Sequence, residues 1–209
     1  MPDEAVIVTQ GGEEAVALLE RAFAPIHDLG YAPADWYWRR DLDGALFSSA
    51  RIAIVSEADE AFQAWRAVGH VPTRWPVDDA GEQTVSELQT VLDPYDLHAS
   101  LEHLAGSLRY AAEVGGIEVA GERIATNRES QAQIQALEHD AEREPEELVS
   151  FRFQNGYRTI DSATVLIIAA EVRAHKRRLR ALDADVRAKI ASGTFATKEQ
   201  VEAAFAPQA

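Results

Sequence analysis

The chain contains no cysteine, one methionine and three lysines in 209 residues. Without cysteine there is no disulfide framework, no thiolate-ligated zinc or iron–sulfur centre and no thiol nucleophile. Basic residues are scarce as well: 20 Lys and Arg stand against 35 Asp and Glu, a formal charge of −15. Such a field repels nucleic acid and anionic bilayers unless a local basic patch overrides it, so neither is expected as a partner. Long apolar runs are also missing. The greasiest stretch, Ala163 to Ala170, is far below the roughly 18 residues a membrane span requires. Met1 to Glu4 hold no Lys or Arg and lead only into Ala5-Val6-Ile7-Val8, so no secretory leader is expected. What is abundant is apolar surface, at 46% of residues, enough for one large domain or two small ones.

The pattern predicts an α+β fold. A short strand at Val6–Val8 precedes a helix from Glu13 to about Phe23. Trp36-Tyr37-Trp38-Arg39 alternates, Asp41-Leu42-Asp43-Gly44 supplies turn chemistry, and Ala45-Leu46-Phe47 returns as a hairpin, with Arg51 to Val55 as a third strand. Strand alternation places Trp36 and Trp38 on one face and Tyr37 on the other, so that one side lines a core and the other is open to a protein partner. Ser56 reads as the cap of a helix carrying Ala61, Phe62, Trp65 and Val68, ended by Gly69. Residues 70 to 83 read as irregular connection. Thr84 caps a helix to Leu92, another runs from about Ala99 to Glu113, and Gly115-Gly116 breaks it. This divides the chain into an N-terminal α+β domain at 1–96, a helical connector at 97–115 and a C-terminal domain at 116–209.

The C-terminal domain is expected to hold two β-hairpins packed on a long helix. Ile117 to Ala125 folds about Ala120-Gly121, and Arg128 to Ala141 is helical. The segment from Glu138 to Glu147, with six carboxylates, reads as a solvated end. Phe151 to Ile160 is a hairpin about Asn155-Gly156, a pair that accepts both positive-φ positions of a type I′ turn. Asp161 caps a helix of about 30 residues, Gly193 ends it, and Thr197 with Gln200 forms a capping box for a last short helix.

A helix of about 30 residues is a rod of about 45 Å, longer than the globule formed by the remaining C-terminal residues. Val165, Ile168, Val172, Leu179, Leu182 and Val186 follow three-four spacing along it, with His175 at the one polar seam position. From Arg173 onward only this stripe is apolar and needs cover. The cover is either the last helix or the N-terminal domain of the same chain, or a two- or three-stranded contact between copies. Val172, His175, Leu179, Leu182 and Val186, together with Tyr37, are therefore the candidate protein-interface residues. The run Arg173, Lys176, Arg177, Arg178, Arg180 has no interleaved aromatic and reads as a solvated or salt-bridged face.

No catalytic, cofactor-binding or metal-ligating residue is assigned. Asp41-Leu42-Asp43-Gly44 has its glycine too early for a calcium loop, and Ile52 stands where the bidentate Glu belongs. His98 and His103 are five apart, unlike the i, i+4 pair of a zinc helix. Phosphate-binding glycine loops and a nucleophile elbow are absent. A non-enzymatic protein without cofactor is the expectation.

One stretch carries a resemblance. Gly115-Gly116-Ile117-Glu118-Val119-Ala120-Gly121-Glu122-Arg123-Ile124-Ala125-Thr126-Asn127-Arg128-Glu129-Ser130-Gln131 resembles the opening of an uncharacterised domain recurrent in bacteriophage and prophage tail-fibre and tail-fibre-assembly proteins. An aromatic hairpin at 151–160, the step Asp161-Ser162-Ala163 and the segment Val172-Arg173-Ala174-His175 follow in the same order, so that the likeness spans about 115–205. The chain departs from the pattern at Lys176-Arg177-Arg178-Leu179, where a phenylalanine-containing stretch is common. The resemblance implies a structural protein of the virion tail, made in the host cytoplasm, associated with fibre or baseplate and contacting other tail proteins and further copies of itself. A fibre-assembly chaperone missing from the mature particle is the alternative. It implies no catalytic residue.

Overall fold

The computed structural model describes residues 31–206 apart from Gln154. The expected strand at Val6–Val8 and helix at Glu13–Phe23 lie outside the described residues. The fold is α+β. The described residues form two compact units, one up to Leu97 and one from His98 onward, with Arg51–Ala53 clustering with the second.

In the first unit, strands β1 (Tyr37–Arg39), β2 (Leu46–Ser48), β3 (Ala53–Val55) and β4 (Thr73–Arg74) form one sheet in the order β3-β2-β1-β4. β1 and β2 are antiparallel, with Trp38 opposite Phe47. β4 adds in parallel to β1 and continues the ladder through a Trp75 N–H bond to the Arg39 carbonyl. This strand lies inside the stretch expected to be irregular. It is two residues long and flanked by Pro72 and Pro76, too short to show a period.

Helix α1 (Glu60–Ala67) begins at Asp59, whose carboxylate accepts the Phe62 N–H, and not at Ser56. Ser56 instead closes the preceding turn, its carbonyl and hydroxyl accepting the N–H groups of Asp59 and Ala58. Phe62 and Trp65 of α1 stand 5.0 and 4.9 Å from the Tyr37 ring. Tyr37 is thus only 2% exposed, which corrects the expectation of an open protein-binding face around it. Alternation also fails at Trp36. That residue follows a 3-10 turn and precedes the strand, and its ring sits 4.8 Å from Trp65, on the partner it shares with Tyr37. Helix α2 (Val85–Leu92) starts at Thr84 as expected, the hydroxyl accepting from Glu87 N–H.

The second unit holds α3 (Leu101–Val114), hairpin β5 (Ile117–Val119) and β6 (Glu122–Ile124), α4 (Arg128–Arg143), hairpin β7 (Leu148–Phe153) and β8 (Gly156–Asp161), α5 (Ser162–Ala191) and α6 (Lys198–Phe205). α3 packs on α5 and α6 inside this unit, so the stretch expected as a connector is a structural wall. The two hairpins turn differently. Ala120 and Gly121 have φ of 51° and 80°, the positive pair of a type I′ turn. In the second hairpin Phe153 pairs with Gly156, so that the glycine opens β8, one position off the expected Asn155-Gly156 turn centre. An alanine held in the left-handed region costs roughly 1 kcal/mol. Ala120→Asn is expected to stabilise the protein by about 0.5–1 kcal/mol in urea titrations, because asparagine tolerates that region and completes the preferred Asn-Gly pair.

Two hydrophobic cores lie in series along α5. Ile124, Ile134, Phe151, Phe153, Ile168 and Val172 fill the first, between its N-terminal half, α4 and the hairpins. Leu104, Ala105, Val186 and Val201 fill the second, between its C-terminal half, α3 and α6, with Leu182 against them. Gly193, at φ 73°, and the Thr197–Gln200 capping box turn α6 back onto this half. A single helix serving two cores explains how a rod of this length finds cover within its own unit.

Candidate functional site

The geometry that ties the second unit together is concentrated between Glu113 and Gln131. α3 must end where the hairpin begins, and two glycines make the junction. A β-carbon on Gly115 would stand 3.0 Å from the Ala111 carbonyl oxygen. One on Gly116, at φ +87°, would stand 2.9 Å from the Ile124 carbonyl oxygen and 3.0 Å from Arg123 Nε. Only glycine fits both the dihedral and the approach. The Arg123 guanidinium folds back over this junction and donates to the Gly115 carbonyl.

Thr126 is the centre of the knot. It is fully buried, its hydroxyl donating to the Glu113 carbonyl at 2.6 Å and accepting the Gly116 N–H at 2.9 Å. One side chain therefore closes the C-terminal end of α3, where carbonyls lack helical partners, onto the start of the hairpin. Asn127 then caps α4, its side-chain oxygen accepting the Ser130 N–H at 2.8 Å, and Gln131 reaches back to donate to the Thr126 carbonyl at 2.5 Å. Gly115, Gly116, Ala120, Gly121, Arg123, Thr126, Asn127 and Gln131 of the resembling stretch thus each have an architectural role. Arg128, Glu129 and Ser130 remain at or near the surface.

Beside the knot runs an open groove of about 750 Å³ between β6, α4 and β7. Its walls include Asn127, Glu129 and Gln133 of the α4 side and Phe151, Arg152 and Tyr157 of the second hairpin. It mixes one acidic side chain, Glu129, with two basic ones, Arg123 and Arg152. Among the described residues no group of three or more His, Asp or Glu side chains could hold a metal ion, and no helix is long and apolar enough to cross a membrane.

The carboxylates with a calcium-loop look are engaged by arginines. Asp41 accepts from Arg74 Nε at 2.6 Å, and Asp43 accepts from Arg40 at 2.9 and 2.5 Å. The Arg40 hydrogen bonds, with the Ala45 N–H at 3.1 Å, lower the Asp43 pKa to about 2. A depressed carboxyl pKa means that this tether is complete above about pH 4 and is lost as pH falls towards 2. Carboxyl-carbon NMR is expected to give an Asp43 midpoint near 2, and Arg40→Ala to return it towards 3.8. An unchanged midpoint in that variant would remove Arg40 as the cause. His103 Nδ1 lies 3.4 Å from the Ser100 hydroxyl, which caps α3.

Five of the six predicted interface residues lie along α5, and the structure turns them inward. Val172 is 5% exposed in the first core and Val186 0% in the second, while Leu182 packs against the second. His175, the polar member, has its Nε2 3.1 Å from the Ala112 carbonyl at the end of α3. Leu179 is half-buried in the same row. Tyr37 is buried under α1 in the other unit. The seam is therefore covered by the chain itself, which corrects its assignment as a surface for other copies. The Thr126 knot escaped sequence reading: a threonine followed by asparagine signals a cap, and nothing in it signals a bond to a carbonyl 13 residues earlier.

No curated protein and no solved structure matches the chain. A family model matches residues 99–206, a segment that opens just before α3 and closes at the end of α6. With that segment covering just over half of its length, the chain belongs to the family described as Domain of unknown function (DUF4376).

Proposed function

We propose that the chain is a non-enzymatic component of a bacteriophage or prophage tail, situated at the fibre or baseplate and working through contacts with other tail proteins. The observation that supports this reading is the stretch Gly115–Gln131, which resembles the opening of a domain recurrent in tail-fibre and fibre-assembly proteins. Its distinctive residues are spent on building. Two glycines, a buried threonine and a capping asparagine lock one helix, one hairpin and the next helix together. A motif spent on rigidity suits a part that must hold shape while others attach to it. The net charge of −15 favours solubility before assembly and disfavours stray binding to packaged nucleic acid.

Quantitative mass spectrometry of purified particles, with the infected or induced lysate as reference, tests the reading. The expected result is peptides of this chain in the particles at a fixed ratio to fibre or baseplate proteins. Peptides in the lysate but not in the particles would replace it with the assembly chaperone. Hydrolysis of cell-wall or capsular glycans by the purified chain would overturn it outright.

A further inference from the structure

The cores use one side of α5 and leave the other to solvent. On that outer side stand Ala163, Ile167, Ala170 and Ala174 at three- and four-residue spacing, with Ala181 seven residues further on and Ile167 57% exposed. The charges flanking this face are unevenly matched. Arg173 is paired with Glu138, and Lys176 lies 3.7 Å from Glu113 and 2.6 Å from the Gln131 amide oxygen. Arg177, Arg178 and Arg180 are exposed and meet no carboxylate among the described residues.

At the other end of the helix the sign is reversed. α4 and α5 run antiparallel, since Gln131 meets Lys176, Glu138 meets Arg173 and the Glu144 carbonyl meets Ser162. The exposed carboxylates of Glu142, Glu144, Glu146 and Glu147 therefore gather at the start of α5, where the Ser162 hydroxyl donates to the Glu144 and Glu147 carbonyls at 3.0 and 3.1 Å. Ser162 and Arg180 lie on one side of the helix, about five turns and 27 Å apart. That is beyond the screening length of about 8 Å in physiological salt, so the two patches cannot satisfy each other within one molecule.

We propose that α5 pairs with α5 of a second copy of this chain, antiparallel, about a two-fold axis near Ala170. The rotation brings the Arg177–Arg180 segment of each copy onto the Glu144–Glu147 segment of the other and packs each Ile167 against the opposite Ala174. Both charge contacts form at once because a two-fold interface is self-complementary. A parallel pairing would set basic against basic and acidic against acidic, so the charges fix the direction. The contact is independent of the tail assignment and uses the face opposite the buried seam.

Sedimentation of the full chain tests it. A two-chain species is expected, with a dissociation constant that rises at least about tenfold between 50 and 500 mM salt, as for an interface held by screened charges. The double variants R177E/R180E and E144R/E146R are each expected to sediment as single chains with unchanged circular dichroism, and with wild-type melting at concentrations too dilute for association. Mixed, they should form a heterodimer, since both contacts then regain opposite signs. Ile167→Glu should also give single chains. A wild-type chain monomeric at about 100 μM in low salt, a pair indifferent to both charge reversals, or a mixture that stays monomeric would each overturn the proposal, since the screened-charge contact would then be absent.

Discussion

Thr126→Val is expected to destabilise the second unit by about 2–4 kcal/mol, because the isosteric methyl leaves the Glu113 carbonyl and the Gly116 N–H unsatisfied where water does not replace the hydroxyl. The wild-type hydroxyl serves both groups at 2.6 and 2.9 Å in a fully buried position. For a protein of this size the melting midpoint should fall by roughly 5–12 °C. Thr126→Ser restores both bonds and loses only a methyl group, and should recover most of the loss. The same order is expected in urea, Thr above Ser above Val. If Val melts with Ser, the hydroxyl contributes packing alone, and the knot does not fasten α3 to the hairpin.

Val186→Asp should cost about 3–5 kcal/mol, the range for a buried charge left without a partner. Val186 is 0% exposed among Leu104, Ala105 and Val201, with no basic side chain in that cluster. At concentrations too dilute for association, Ile167→Glu on the opposite side of the same helix should stay within about 0.5 kcal/mol of wild type. The pair of variants separates the two faces of α5. The inward change lowers the melting midpoint, and the outward change alters the mass at high concentration. An aspartate at 186 that left melting intact but abolished self-association would show that the seam, and not the outer face, joins copies.

Local chemistry carried much of the fold. Thr84, Asp161, Thr197 with Gln200 and Ala120-Gly121 each act where the sequence put them, because caps and tight turns bring together groups only a few residues apart. Asp161 accepts the Thr164 N–H at 2.8 Å, and hydrogen bonding at this cap lowers its pKa. The cap expected at Ser56 stands three residues further on, at Asp59, and only the backbone geometry decided this. β4 was invisible because its pairing partner lies more than 30 residues away and its two residues carry no alternation of their own.

The sequence by itself determined the α+β composition, the long helix and its apolar row, since periodicity along a chain records which side of an element must leave water. It could not name what covers that row. Cover by α3 and α6, the Thr126 bridge across 13 residues and burial of Tyr37 on the sheet were decided by tertiary structure. The hydrophobic effect is non-directional: any apolar surface of suitable shape satisfies the seam, whether from this chain or another, and only the folded path of the chain brings one of them within reach.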